Sequence, residues 1–554
     1  MDRRAVGVND NGVMRRATRP VATSARRETA PPAHVLWLLE GDHAPAGAER
    51  GRLIQTHISY VVLRGDWAYK LKKPVDFGFL DYRSLERRRF FCEEEVRLNS
   101  RLSPDVYVGV STVTRETGGR FTLDGSGEVV DYVVVMRRLA DESMFDAVLA
   151  RGGGTATEAR TLAEIIARFH VEADRSGAES GFGSPAMIGL TWAENVAQVE
   201  PYVGRVVDAE AWESIRRYEE SYLRDQEAVL LGRVEAGFVR DCHGDLRSES
   251  VALTEEAFLV LDCVEFNARL RIIDVISDLA FLLMDLESRD RADLSDEVLA
   301  RYLSITQDMR WGGLLDFYRC YRAVVRGKVN ALQLGEAEVP RKQKREALAA
   351  SRRYLRLAAR YAARRRDGRL VVMMGTTGSG KSYLAGALSG RLGAQLITSD
   401  ATRKRLSGRD PWARTAASGV GVGIYSEAMT ERTYAALLAE AQAELGRGEP
   451  VILDATFGRA RWREAAAELA ADCGVSCDFL LCEAPAAVVA ARIEGRGEEV
   501  GAVSEGTWEV YLSQREAFET VAAIDGTGLQ RIDTGGSLRE SVAAALVGLG
   551  VAAD

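Results

Sequence analysis

The chain has 554 residues, 46% of them hydrophobic, which is too long for one ordinary core and calls for two or three domains. Its 73 basic and 81 acidic residues leave a formal net charge of −8, arguing against a dedicated nucleic-acid or anionic-membrane binder. Seven scattered cysteines make no disulfide framework, and no run of about twenty uncharged apolar residues offers a membrane span, so a reducing cytoplasm is the expected setting.

Residues 1 to 30 are polar and Arg-rich, with Asp2 and Asp10 in place of an apolar signal core, and read as a disordered tail. Strand-like runs follow between residues 53 and 137: LIQTHISYVVLR, WAYKLKKPV, VYVGVSTVT and VVDYVVVMR, broken by a helical stretch from Leu85 to Leu102. Residues 140 to 335 are mostly helical apart from the segment 238 to 262. A small strand-rich lobe followed by a larger helical lobe is the layout of a protein-kinase-like fold. The Arg-rich segment 340 to 366 is helical in pattern, with Leu348, Tyr354, Leu355, Leu357 and Tyr361 as apolar positions, and is expected to bridge two domains. From Arg369 onward LVVMM, AQLITSD, VILDAT, VSCDFLLCEA and LQRIDT alternate with helical patterns, which predicts a five-stranded parallel sheet covered by helices. The expected division is a tail at 1–30, a kinase-like domain at 31–366 that ends in the Arg-rich helix, and an α/β domain at 367–554.

The most specific motif lies just after LVVMM. Gly375, Thr376, Thr377, Gly378, Ser379, Gly380, Lys381 and Ser382 spell G-x-x-x-x-G-K-S, a P-loop between a strand and an amphipathic helix. The glycines let successive N–H groups turn toward phosphate oxygens, and the helix beginning at Lys381 presents its positive end to the same anion. ATP and Mg2+ are the expected ligands, Lys381 reaching the terminal phosphates and Ser382 holding the metal. Asp400, in ITSDATRKRL, is expected at the end of the next strand as a base for an acceptor hydroxyl, with Arg403 and Lys404 behind it. Asp454 closes VILDAT as a second acid for Mg2+. Arg492 and Arg496, four apart on a helix, could close over the transferring phosphate.

A second set of phosphate-chemistry residues precedes the first. His243-Gly244-Asp245, followed by Asp262 at the end of AFLVLD, is the order in which kinase-like folds place a base and a metal-holding carboxylate across one phosphoryl group. In WAYKLKKPV the period of two puts Lys70 and Lys72 on one face, and position favours Lys70 as the phosphate lysine. Glu95, in CEEEVRLN, is its candidate partner. His170 ends an amphipathic helix and reads as packed; the seven cysteines read as buried or incidental thiols.

The blocks THISYVVLRGDWAYKLKKPVDFGFLDYRSLERRRFFCEEEVRLN, CHGDL, LDCVEFNARLRIIDVISDLAFLLMDL, FYRCYRAVVRGKVNAL, SDATRKRL and VILDATFGRARWREAA resemble the bacterial two-domain family of bifunctional aminoglycoside phosphotransferase/ATP-binding proteins. The resemblance covers nearly all of the chain after the tail. It implies an N-terminal bilobal fold of aminoglycoside phosphotransferase type, fused to a P-loop small-molecule-kinase-like domain. One departure stands out: such folds usually carry HGDLHxxN, where the Asn helps hold metal, and here Arg247 and Ser250 occupy the last two marked positions. The expected function is transfer of a phosphoryl group from ATP to a hydroxylated small molecule, with two nucleotide sites. Two alternatives remain open: the kinase-like half as a degenerate ligand-sensing module, or the P-loop half acting on a polynucleotide 5′-hydroxyl. No motif marks the acceptor or the oligomeric state.

Overall fold

A computed structural model describes residues 30–40, 50–78, 80–255, 257–308, 313–336, 339–364, 368–408, 426–495, 507–521 and 526–551. Residues 1–29 of the expected tail and Arg496 lie outside these residues.

After helix α1 (Ala33–Glu40), the first lobe is an antiparallel sheet of β1 (Arg52–Gln55), β2 (Ser59–Arg64), β3 (Trp67–Lys72), β4 (Tyr107–Arg115), β5 (Phe121–Leu123) and β6 (Glu128–Arg137), in the order β1-β2-β3-β6-β4-β5. LIQTHISYVVLR is therefore two strands and not one: the Thr56 hydroxyl accepts from the Ser59 N–H at 2.9 Å and turns the chain between them. Helix α2 (Leu85–Asn99), capped by Ser84, lies on β6 and β4 and carries Glu95 inward.

The larger lobe holds α3 (Phe145–Ala150), α4 (Ala156–Glu172), α5 (Pro185–Val199), α6 (Ala209–Asp225) and α7 (Glu227–Glu235). Two short antiparallel pairings follow, β8 (Val251–Leu253) with β9 (Phe258–Val260) and β10 (Ile272–Asp274) with β7 (Val239–Asp241), and α8 (Ala268–Arg271) leads into β10. Four long helices complete it: α9 (Val275–Ser288), α10 (Ala292–Thr306), α11 (Leu314–Leu332) and α12 (Arg341–Ala363). The Arg-rich helix α12 lies along α11 with Tyr354, Leu355, Leu357 and Tyr361 buried, so its apolar stripe belongs to the core of this lobe while its arginines line the other face. Its end does reach across: Arg364 donates to Asp316 and to the Gly390 carbonyl of the following half.

The last half alternates β11 (Arg369–Met374), α13 (Lys381–Leu392), β12 (Gln395–Thr398), α14 (Ser399–Leu406), α15 (Glu427–Leu445), β13 (Val451–Asp454), α16 (Ala460–Asp472), β14 (Ser476–Glu483), α17 (Ala486–Gly495), α18 (Trp508–Ala517), β15 (Gly528–Asp533) and α19 (Leu538–Gly548). The sheet is parallel throughout, in the order β12-β13-β11-β14-β15. Strand β11 is central, and its unbroken apolar run fits a strand covered on both faces.

The halves share one core. Leu299 and Leu303 of α10 cluster with Leu384 and Leu388 of α13. The close approach depends on Gly386, where a Cβ would come 3.2 Å from the Ala300 Cα, and on Gly390, where it would strike Leu299. Arg391 reaches Asp296 at 2.8 Å, and the Tyr383 hydroxyl donates to Glu297 at 2.9 Å.

Candidate functional site

The P-loop sits where β11 ends, at the carboxyl edge of a parallel sheet beside its neighbour β13, the place where such sheets bind ligands. Gly375 and Gly380 have φ of 143° and 85°, and a Cβ on Gly375 would lie 2.6 Å from the Ser379 hydroxyl. Gly380 is the N-cap of α13 and brings no side chain, so the first-turn N–H groups of the helix face the loop. The Thr377 N–H donates to the Gln514 side-chain oxygen of α18 at 2.7 Å.

Four of the expected residues meet here. Asp454, at the end of β13, is 4% exposed. Burial raises its carboxyl above the ordinary range, the neighbouring Asp400 adds to the rise, and the Lys381 ammonium and a hydrogen bond from Ser382 oppose it. One Asp454 oxygen is buried with no hydrogen-bond partner. Asp400 differs from expectation in its setting: β12 stops at Thr398, whose hydroxyl accepts from the Ala401 N–H at 3.2 Å, so Asp400 lies in the first turn of α14. Its side chain is 41% exposed, with Arg403 at 3.4 Å. Arg492 is bonded to the backbone of the loop itself. Its guanidinium donates to the carbonyls of Gly378 and Thr534, and the Thr534 hydroxyl donates to the Ser379 carbonyl, tying α17 and the end of β15 to the loop. Burial, and after it the guanidinium of Arg160, pull Arg492 below the ordinary arginine value.

In the kinase-like cleft both lysines of β3 converge on one carboxylate. Lys70 pairs with Glu95 at 2.6 Å and with Asp262 at 2.6 Å; Lys72, 1% exposed, pairs with Glu95 at 2.8 Å and with Glu265, which also accepts from the Tyr82 hydroxyl. Burial alone would lower the Lys70 ammonium, but Asp262 and Glu95 outweigh it and hold it well above the lysine range. Lys70 in turn holds the Asp262 carboxyl below its usual value. Of the two lysines, Lys70 is the one beside Asp262. Asp245 is clamped by Arg247, Nε and Nη2 each donating to one of its oxygens at 2.9 Å. The Ser250 hydroxyl is turned into the loop, accepting from the Arg247 N–H at 2.9 Å and bonding the carbonyls of Arg247 and Asp245. Glu249 faces Arg247, Arg289 and Arg326 on the surface.

The residue that shapes this loop was missed by the motifs. Asp278 of α9 accepts from the N–H groups of His243 and Gly244 at 2.8 and 2.9 Å, and from His170 at 3.2 Å. Burial works against its ionisation, but His170 first among its partners keeps its carboxyl down at about 2. Its only sequence trace is the acid in IDVISDLA. His243 bonds the Leu261 carbonyl through Nε2 and accepts the Asp245 N–H at Nδ1, so it is neutral with the proton on Nε2; burial lowers its pKa. His170, Cys242 and Asp278 are close enough together to suggest a metal site, but both His170 ring nitrogens are engaged, by Tyr302 and Asp278. His57 is exposed and faces Glu336. All seven cysteines are free, and all but Cys473 are buried.

A bilobal kinase-like fold joined to a P-loop α/β domain is the class of protein that this architecture defines. Residues 370–521 match the family described as an AAA domain. Over 491 residues the chain is 35% identical to uncharacterized proteins of Mycobacterium tuberculosis (strain H37Rv) and Mycobacterium bovis, covering 88% of this chain and 93% of each of theirs. The chain belongs to the family of these mycobacterial proteins. Among solved structures, a gluconokinase from Sinorhizobium meliloti is 25% identical, covering 34% of this chain and 94% of that chain with a TM-score of 0.24. A choline/ethanolamine kinase family protein from Mesorhizobium loti is 14% identical, covering 59% and 97% with a TM-score of 0.34.

Proposed function

We propose that the chain is a cytoplasmic, ATP- and Mg2+-dependent phosphotransferase of the bifunctional aminoglycoside phosphotransferase/ATP-binding type, whose P-loop half phosphorylates a hydroxyl of a small metabolite or sugar-like acceptor. The observation that carries this reading is the meeting of Lys381, Ser382, Asp454 and a half-exposed Asp400 at one edge of the sheet. A motor or switch needs the first three; the fourth is a carboxylate free to take a proton from an incoming hydroxyl. The unpartnered buried oxygen of Asp454 beside the Ser382 hydroxyl is a hard-oxygen donor set that fits Mg2+. Bound there, the metal would neutralise charge on the nucleotide phosphates. The chain's own part is to hold the phosphates on the first-turn amides of α13, spread negative charge onto Lys381, and receive the acceptor proton at Asp400.

Nucleotide consumption by the full chain with a panel of hydroxylated acceptors, including a polynucleotide 5′-hydroxyl, tests the reading. Turnover that Asp400→Asn leaves intact removes it. A second reading is favoured for the kinase-like half: with Asp245 on Arg247 and Ser250 inside the loop, this cleft is a nucleotide- or ligand-sensing module. Phosphorylated product that depends on Asp245 would make it a second enzyme instead.

A further inference from the structure

We infer that the kinase-like half completes the nucleotide site of the P-loop half, with Arg160 of α4 serving as a cation for the phosphates held by the loop. The inference rests on the P-loop reading above and adds a residue from the other half of the chain.

Three observations converge. Tyr383 follows Ser382 in the first turn of α13, where amides of a P-loop helix face the α- and β-phosphates. Its hydroxyl donates to Glu297 of α10 at 2.9 Å, and the same Glu297 oxygen accepts from Arg160 Nε at 3.0 Å. One carboxylate thus fixes an arginine of α4 beside the start of the P-loop helix. Second, Glu297 is 6% exposed at its side chain, whereas Arg160 is 45% exposed, so the pair is one-sided: the carboxylate is buried and the guanidinium keeps an open face. The pair joins α4 to α10 within the kinase-like half, and the open face of the guanidinium is what remains for a ligand. Third, on the other side of the loop Arg492 is anchored to the Gly378 carbonyl, and a Cβ on Gly380 would lie 3.1 Å from its guanidinium. Arg160, held through Glu297 at Tyr383, and Arg492, held at Gly378, bring cations from separate halves to the first turn of α13 and to the loop, and the Arg160 charge acts on Arg492. Like charges brought together by independent elements are costly unless an anion lies between them, and a polyphosphate is the anion a P-loop collects. Asp533 and Glu297 are the acidic groups that temper this pair.

Titration of Mg-ATP, Mg-ADP and adenosine into the full chain tests this, with Lys381→Ala defining the part of the binding that belongs to the P-loop. Arg160→Ala is expected to weaken that part about tenfold for both nucleotides, as for loss of one charge-assisted hydrogen bond, and to leave adenosine binding unchanged. Arg160→Lys should restore part of the loss. Arg391→Ala, which removes the Asp296 ion pair from the same interface, is expected to lower Tm without changing the nucleotide Kd. A Lys381-dependent component that Arg160→Ala leaves intact, or that Arg391→Ala weakens equally, overturns the inference alone. Binding that is indifferent to Lys381→Ala overturns the P-loop reading and the inference with it.

Discussion

The two phosphate-chemistry centres differ in what their carboxylates already hold. In the kinase-like cleft Asp245 is bound twice by Arg247, and Asp262, Glu95 and Glu265 are answered by Lys70 and Lys72. At the P-loop, Asp454 keeps an unpartnered buried oxygen and Asp400 is half-exposed with a single arginine, Arg403, at 3.4 Å. A carboxylate already neutralised must give up a charge-assisted bond before it can take a proton or a metal, whereas an orphaned one gains by binding. The contrast separates a self-satisfied site from one that keeps carboxylate oxygens open.

The largest expected effect attacks this contrast directly. Asp400→Asn should lower turnover by about 10²–10⁴-fold, the range of a lost general base, while Asp245→Asn changes it by less than about twofold. Steady-state nucleotide consumption measures both, and a large loss in Asp245→Asn would erase the distinction. Next comes Glu95→Ala, which leaves Lys72 buried with one partner fewer; unfolding by denaturant should show a loss of about 3–5 kcal/mol, as for a broken buried ion pair. The P-loop acids, neither of which is held by two lysines as Glu95 is, should show a smaller loss. Smaller again is Gly386→Val, which drives a side chain against Ala300 and should cost about 1–3 kcal/mol of overpacking. Because both halves share that core, a single unfolding transition should move, not one of two.

How much of this was legible follows from the range of each interaction. The P-loop was, because its chemistry is carried by consecutive backbone atoms; so were the strand lysines and Glu95, whose spacing along β3 and α2 fixes their facing. The Arg247 clamp was not: the sequence shows an arginine two residues after Asp245, but its rotamer is set by packing near Phe281 and by Glu249. The set-back of Asp400 into α14 had a local sign, Thr398 as an N-cap in ITSDAT, which the apolar run before it outweighed. The junction of the halves also had one. Gly386 and Gly390 are four apart in AGALSG, which puts both on one face of α13, but which helix would pack there is a long-range outcome that periodicity does not contain.

The finest test of the contrast is Asp454→Asn. A buried carboxyl whose folded pKa is raised above its unfolded value makes a contribution that is fully present below the unfolded value of about 4. That contribution is lost as pH rises through the folded pKa, so at neutral pH the ligand-free wild type bears the cost of an ionised, partly desolvated Asp454. Asn cannot ionise and escapes it. The ligand-free variant should therefore melt slightly higher than wild type at neutral pH, with the gap closing toward acid, while Mg-nucleotide raises the Tm of wild type more than that of the variant. A variant that melts lower at neutral pH would mean that Lys381 and Ser382 already satisfy Asp454, and the P-loop site would then be as self-contained as the cleft upstream.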